Sequence, residues 1–478
     1  MDWPSTFEVL CISKKMLDIP PRLREKLVAA GQDHVLADWS RLDSKEQHAL
    51  LDQLKAIDYA LIHRLYESRN KPAALPPRQT MEPIPVLRPE LETPEARACG
   101  EASIARGETA IVLVAGGQGT RLGFDHPKGL FPIGPVSGKS LYQLHAEKVL
   151  ARSLRHGMTI PLIVLTSTAT HDETEEYFRV NRHFGLPPSE VYFVRQGNMP
   201  AVDFASGKLL LQDRGHLFMS PNGHGGVLPA LVDSGLLAEL KARGIKNLFY
   251  FQVDNPLVKV VDPAFLGHHL EAQAQASSKV VRKEDPAEKL GHLVSVGGRC
   301  TMIEYTDLPS DLTAARDDRG QLRLWAGSPA IHWFSIAFLE RVAANGRALP
   351  FHLTRKKVPY FHGGRIWAPE RDNALKFEMF IFDILPLAEK WLAVETRRTE
   401  EFVPLKNAQG ADSPDSVRAA LSALTAKWLE AAGVQVPHQS DGAPEWPLET
   451  SPTFALDQQE FASRLSPGVR ITGPTYFV

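Results

Sequence analysis

A run of apolar and small residues, Ile111-Val-Leu-Val-Ala115, leads straight into Gly116-Gly117-Gln118-Gly119-Thr120-Arg121-Leu122-Gly123, with Pro127-Lys128-Gly129 close behind. Glycines let a ligand approach bare backbone N–H groups, and Arg121 and Lys128, seven residues apart, add two cations. This combination suits a polyphosphate held at the end of a buried strand. Two other phosphate motifs do not fit. Gly117, Gly119 and Gly123 are spaced one residue too long for a dinucleotide fingerprint, and Gly134-Pro-Val-Ser-Gly138-Lys139-Ser140 has three residues between its glycines where a P-loop needs four.

Other chemistry-bearing residues are spread downstream. Asp254, in Gln252-Val253-Asp254-Asn255, ends an apolar run. A carboxylate at the carboxyl end of a strand can hold Mg²⁺ against phosphate oxygens, and it can equally cap the next turn. Gln196 follows a strand-like run, where it can read a base edge or simply face solvent. Gly223-His224-Gly225-Gly226 opens an apolar helix and lets backbone approach a flat base or a sugar. Glu304-Tyr305 sits in a strand-like run. Lys376 precedes Phe380 and Phe382, which share a face if the segment is a strand, and Lys406 follows Phe402-Val-Pro-Leu. His268-His269 lacks ligand spacing and reads as part of a solvated helix face, as does Lys356-Lys357.

The chain has 478 residues, 23% charged and 43% hydrophobic, enough for two or three globular domains. A formal charge of −2 and the lack of a basic tract argue against nucleic acid as a partner. Cys11, Cys99 and Cys300 are too few and too scattered for a disulfide framework or zinc cluster, so a reducing cytoplasm fits. No signal-peptide pattern begins the sequence, and no apolar run approaches the ~18 residues of a membrane span.

The elements that would position these residues are legible in outline. Residues 1 to about 70 have leucines at helical spacing, and seven prolines between Pro72 and Pro94 predict an extended connection lying on the next domain. From about residue 100, strands at 110–115, 162–165, 191–194 and 248–253 alternate with helical patterns, the signature of a doubly wound α/β domain. Tyr142, Ala146, Val149 and Leu150 mark a helix ending near Gly157. Thr170 with Glu173 predicts a capping box, and Asp412 or Ser413 caps a helix with Pro414 in its first turn that ends near Gly433. The remainder reads as short strands and loops.

Taken together, LVAGGQGTRLG, PKG, RQGNMPAVDF, SPNGHGG, FQVDNPLVK, MIEYTDL, KFEMFIFDI and EFVPLKNA, in order between about 100 and 435, resemble the eukaryotic-type UDP-N-acetylhexosamine pyrophosphorylases of the UDP-sugar pyrophosphorylase family. The resemblance implies a nucleotide-diphospho-sugar transferase fold, a GT-A/Rossmann-like α/β mixed sheet. It implies a helical region and Pro-rich connection (1–98), a catalytic domain (99–395) and a small C-terminal domain (396–478). The implied reaction is uridylyl transfer from UTP to a hexosamine or hexose 1-phosphate, with release of pyrophosphate. The implied cofactor is Mg²⁺ or Mn²⁺ on Asp254, and the implied state a monomer or weak homo-oligomer. Implied nucleotide contacts are Val114, Ala115, Gly116, Gly117, Thr120, Gln196, Gly223 and Lys376. Arg121 and Lys128 would hold the departing phosphates, and Lys406 the sugar phosphate. His224, Gly291, Glu304, Tyr305, Ser328, Phe380 and Phe382 would shape the sugar pocket.

Two positions depart from the acetylhexosamine enzymes, which carry Asn where this chain has His224 and Ser328. Histidine in that turn is more like the enzymes acting on plain UDP-hexoses. UDP-N-acetylglucosamine is the first expectation; a UDP-glucose or UDP-galactose pyrophosphorylase, or a silent UDP-sugar-binding homologue, are the alternatives. All four of Arg121, Lys128, Asp254 and Lys406 are present, against the silent reading.

Overall fold

The computed structural model describes residues 17–71, 75–344 and 349–478, so the expectations for residues 1–16 lie outside the described residues. Two compact units emerge. The smaller gathers the described parts of Met1–Pro72, Asn198–Asn222 and Phe351–Glu378; the larger takes Ala73–Gly197, Gly223–Pro350 and Met379–Val478 in the same sense.

In the larger unit the strands are β1 (Met81–Pro83), β2 (Thr109–Val114), β3 (Leu162–Thr166), β4 (Val191–Arg195), β5 (Asn247–Gln252), β6 (Ala276–Arg282), β7 (His292–Val296), β8 (Arg299–Ile303), β9 (Ala326–Gly327), β10 (His332–Ser335) and β11 (Trp391–Glu395). They form one 11-stranded sheet in the order β1-β7-β9-β6-β10-β5-β2-β3-β4, with β8 beside β7 and β11 beside β6. Neighbours from β5 to β4 run parallel, as do β11 and β6, whereas β10 is antiparallel to both β5 and β6. The mixed sheet is the one expected. Residues 110–113 and 248–251 are all buried, as continuous apolar strands covered on both faces must be. Chain order reverses between β2 and β5, making their carboxyl ends a topological switch point.

Helices α1 (Pro94–Ala105), α2 (Leu141–His156), α3 (His171–Val180) and α4 (Val227–Asp233) are among those that flank this sheet. The Ser140 hydroxyl accepts from Gln143 N–H at the start of α2, and Gly157 ends it at φ +64°. The capping box expected at α3 is absent: the helix forms, but the Thr170 hydroxyl turns back to accept the Ser167 N–H (3.0 Å), and Glu173 reaches His126 (2.5 Å). Thr170 lies in the αR region, from which its side chain does not cap.

Farther along are α5 (Pro263–Glu271) and α6 (Pro414–Ala431). Ser413, not Asp412, caps α6, reciprocally with Ser416. His268 and His269 on α5 are buried rather than solvated, with His269 Nδ1 2.7 Å from Ser277 Oγ. The reason is a close crossing of α1 and α5: a Cβ on Gly267 would fall on the Ala96 carbonyl, and one on Gly100 on the Pro263 carbonyl. The proline-rich connection contributes β1, antiparallel to β7 at the sheet edge, where Pro83 is tolerated. Beyond α6, Leu448–Thr450 pairs in parallel with Thr475–Phe477, and the helix Gln458–Arg464 packs Phe461 with Leu429 and Leu448.

In the smaller unit, helices Pro21–Ala29, Ser44–Ala56 and Tyr59–Glu67 carry Leu23, Leu27, Leu50, Leu51, Leu54 and Ile62 into a core with Val202, Leu209, Leu217, Leu375 and Phe377. Lys356 and Lys357 are exposed, but they stand at the end of the strand Phe351–Lys356 rather than on a helix. Among the described residues no helix is long and apolar enough to cross a membrane.

Candidate functional site

The glycine-rich loop leaves β2 at the switch point. Val253 N–H donates to the Val114 carbonyl (3.0 Å), so Asp254 emerges beside the loop's first residues. Ala115 N–H donates to the Leu165 carbonyl (2.8 Å), and a Cβ on Gly116 would stand 2.9 Å from Gln196 Nε2. Gly116 is therefore glycine because the Gln196 amide occupies the space, and the structure brings that expected base reader to the loop. Gly117 is exposed, and its carbonyl accepts the Lys128 N–H (3.0 Å). Thr120 and Arg121 sit in the 3-10 turn Thr120–Leu122, both exposed.

Lys128, one-fifth exposed, links three segments of the chain. Its Nζ lies 3.3 Å from the Leu405 carbonyl and 3.9 Å from Asp254 Oδ2. Leu405 N–H donates to the Asp254 carbonyl (2.8 Å), which brings Lys406 next to Asp254 in the fold. Lys406 N–H in turn donates to the Asp412 carbonyl (2.8 Å). Asn255 braces the same junction: its Nδ2 donates to the Glu401 carbonyl (2.8 Å) and its Oδ1 accepts the Val403 N–H (3.1 Å). Sequence reasoning missed Asn255, although it stands next to Asp254 in the same motif.

A second group surrounds His224. Its ring stacks on Phe380 (centroids 5.1 Å, 27°) and lies 5.7 Å from Phe382, and the two phenyl rings stack on each other at 5.0 Å. The segment is not a strand: Phe380 precedes the 3-10 helix Ile381–Leu387, whose turn rather than strand alternation brings the rings together. His224 Nδ1 accepts the Ile381 N–H (3.3 Å) and stands 3.1 Å from the Tyr250 hydroxyl. Burial raises the Tyr250 hydroxyl far above its ordinary pKa, so it stays a proton donor. Tyr250 is on β5, and Asp254 follows two residues beyond the end of that strand. It too was missed, since its aromatic ring in an apolar strand looks like core.

Backbone contact shapes this group as well. Gly223 takes φ +85°, and a Cβ on Gly225 would come within 2.6 Å of the Met379 carbonyl carbon. Ser328 and Gly291 are joined directly, Ser328 N–H donating to the Gly291 carbonyl (3.0 Å). Glu304 and the exposed Tyr305 follow β8, which packs against Ile381–Leu387. Lys376 lies in the smaller unit, its Nζ 5.1 Å from the Phe218 ring centre and its pKa lowered by burial.

The family model for UTP–glucose-1-phosphate uridylyltransferase matches residues 72–449. The chain is 36% identical over 441 residues to UDP-N-acetylglucosamine diphosphorylase 2 of Arabidopsis thaliana, covering 87% of this chain and 86% of that protein. It is 33% identical to the UDP-N-acetylglucosamine pyrophosphorylase of Saccharomyces cerevisiae, covering 86% and 92%. The solved uridine diphosphate N-acetylglucosamine pyrophosphorylase of Trypanosoma brucei superposes with a TM-score of 0.77 at 25% identity, over 92% and 93% of the two chains. Glycine loop, switch-point aspartate and colinear matches agree: the chain belongs to the UTP–glucose-1-phosphate uridylyltransferase family, among its UDP-N-acetylglucosamine pyrophosphorylases.

Proposed function

We propose that this protein transfers the uridylyl group of UTP to N-acetylglucosamine 1-phosphate and releases pyrophosphate. The single observation that carries the reading is Lys128, which is joined to the glycine loop through its N–H and to Asp254 and Leu405 through its ammonium. That arrangement puts cationic charge where two polyanions must meet. A sugar-phosphate oxygen attacks the α-phosphorus in line, and the bond from that phosphorus to the oxygen bridging to the β-phosphate breaks. The attacking phosphate is already mostly ionised at neutral pH, with a second pKa of about 6, so no general base is required. Arg121 and Lys128 hold the departing phosphates and Lys406 the incoming one, so catalysis is positioning and charge stabilisation. The roles of Lys376, Glu304 and Tyr305 are carried by the resemblance.

Mg²⁺ or Mn²⁺ fits this site through Asp254. A single carboxylate would bind the ion and leave its other positions to phosphates and water, as Mg²⁺ commonly does. Bound there, the ion would withdraw charge from the α-phosphate.

One observation favours a second reading. His224 is locked between Phe380, Ile381 and Tyr250, and a histidine there resembles the plain-hexose enzymes. Pyrophosphate release from UTP with the 1-phosphates of GlcNAc, GalNAc, glucose and galactose separates the two. The highest kcat/KM is expected for GlcNAc 1-phosphate; turnover of the plain hexoses alone would overturn the first reading.

A further inference from the structure

A cavity of about 80 Å³ lies in the larger unit between α2, residues 256–260 and α6 with the chain beyond it. Much of its wall is apolar, from Leu144, Leu257, Leu421, Leu424 and Leu456. Two cations from successive turns of α2, Lys148 and Arg152, line it as well. Lys148 Nζ donates to the Pro256 and Val258 carbonyls, the latter at 2.9 Å. Arg152 is 4% exposed, its Nε has no hydrogen-bond partner, and it forms no ion pair among the described residues.

Lys259, Glu400 and Glu449 also line the cavity, and the carboxylates in and near its wall are committed to other partners. Glu400 pairs with Lys259 (3.1 Å) and Lys427 (2.5 Å), and Glu449 accepts the Val136 and Ser137 N–H groups (2.8 and 2.7 Å). Asp262 pairs with Lys279 (2.8 Å) and Asp457 with Arg155 (3.5 Å). An unpaired guanidinium buried in this way is costly unless an anion joins it. Burial draws Lys148 down to about 7 and Arg152 to about 10, outweighing the opposing pull of Glu401 on the first and of Asp262 and Asp457 on the second.

We infer that this cavity is a regulatory site for a small oxyanion, one carboxylate or phosphate group on a body of a few atoms. At ~10–15 Å³ for each water-sized group, the space takes roughly five to eight non-hydrogen atoms, too few for a nucleotide or a nucleotide sugar. A guanidinium fork beside an ammonium recognises both head groups. The site is tied to Asp254 on both sides, because α2 holds the Val253 carbonyl through His145 Nε2 (3.0 Å) and the Pro256 and Val258 carbonyls through Lys148. An anion that draws Lys148 away releases this loop and weakens UTP binding. This second half rests on the reading of Asp254 as part of the UTP site.

Calorimetric titration of the full chain at constant ionic strength, with inorganic phosphate and with butyrate in separate arms, tests the site. One anion is expected to bind the wild type in a saturable step that is missing in Arg152→Met, and to raise the Kd for UTP several-fold in the wild type alone. Ala455→Leu, which fills the cavity with apolar volume, should abolish the same step and serves if Arg152→Met does not fold. Anion binding equal in all three proteins, binding of neither anion, or an unmoved UTP affinity would overturn the proposal. Arg152-dependent anion binding in a protein that binds no UTP would instead support the anion site and overturn the reading of Asp254.

Discussion

Lys128 Nζ stands 3.9 Å from Asp254 Oδ2, close enough for the two charges to interact and too far for a hydrogen bond. The cation proposed for phosphate and the carboxylate proposed for a metal are thus neighbours, drawn from the loop after β2 and the turn after β5. Lys128→Ala is expected to lower the rate of pyrophosphate release by about 10²- to 10³-fold, the cost of one preorganised donor. Its melting temperature should fall modestly, since the carbonyl of the buried Leu405 loses the ammonium that donates to it. Near-normal turnover would remove Lys128 from the assigned role.

Activity should vanish on chelation and return with Mg²⁺ or Mn²⁺. With a single protein carboxylate in the set, Asp254→Asn should raise the metal concentration for half-maximal rate by about tenfold or more, comparable with losing a ligand's supporting contact. Full activity in excess chelator would dismiss the ion.

His224→Asn tests the sugar side. Removing a ring stacked on Phe380 opens room beside the phenyl pair and restores the asparagine of the acetylhexosamine enzymes. The ratio of kcat/KM for GlcNAc 1-phosphate over glucose 1-phosphate is expected to rise about tenfold, within the range that one pocket contact supplies. An unchanged ratio would place the choice of sugar elsewhere.

Gly267→Ala should destabilise the fold without touching the chemistry. The new methyl would overlap the Ala96 carbonyl, forcing α1 and α5 apart at a cost of about 3 kcal/mol. Thermal unfolding should show a clear drop in Tm, with kcat near normal at low temperature.

Four buried histidines set an acid limit. Burial lowers His145 and His332 to about 3, and His269 and His292 to about 4, against an ordinary 6.5. Their neutral rings contribute full stability above pH 6.5 and lose it progressively as pH falls towards those values, because the unfolded chain then takes up protons that the folded one refuses. Each ring adds up to about 1.4 kcal/mol per pH unit within that window. Tm measured from pH 8 to 5 should begin to fall near 6.5, with a shallower slope in His332→Gln; a flat profile would contradict the assignment.

The parts legible in the sequence were those set by neighbouring residues. The β2 loop, the apolar run of β5 and the Ser413 cap depend on local chemistry and lie where pattern predicts. Contacts between distant segments were not legible. Nothing near His268-His269 announces that Gly100 meets α5, and nothing near Lys128 announces a bond to Leu405, 277 residues away. Phe380 and Phe382 misled because alternation fits a strand and also, over so short a span, a 3-10 turn. Only the colinear family motifs carried such distant residues into one site.

The bond from Leu405 N–H to the Asp254 carbonyl also sets an order of events during synthesis. The phosphate loop and Asp254 leave the ribosome well before their brace, and at about 5–20 residues per second the intervening chain takes roughly 8 to 30 seconds to arrive. Through that interval the nascent protein has a glycine loop and an aspartate with no Leu405 to join them, and a message truncated ahead of residue 405 would yield a chain lacking this junction.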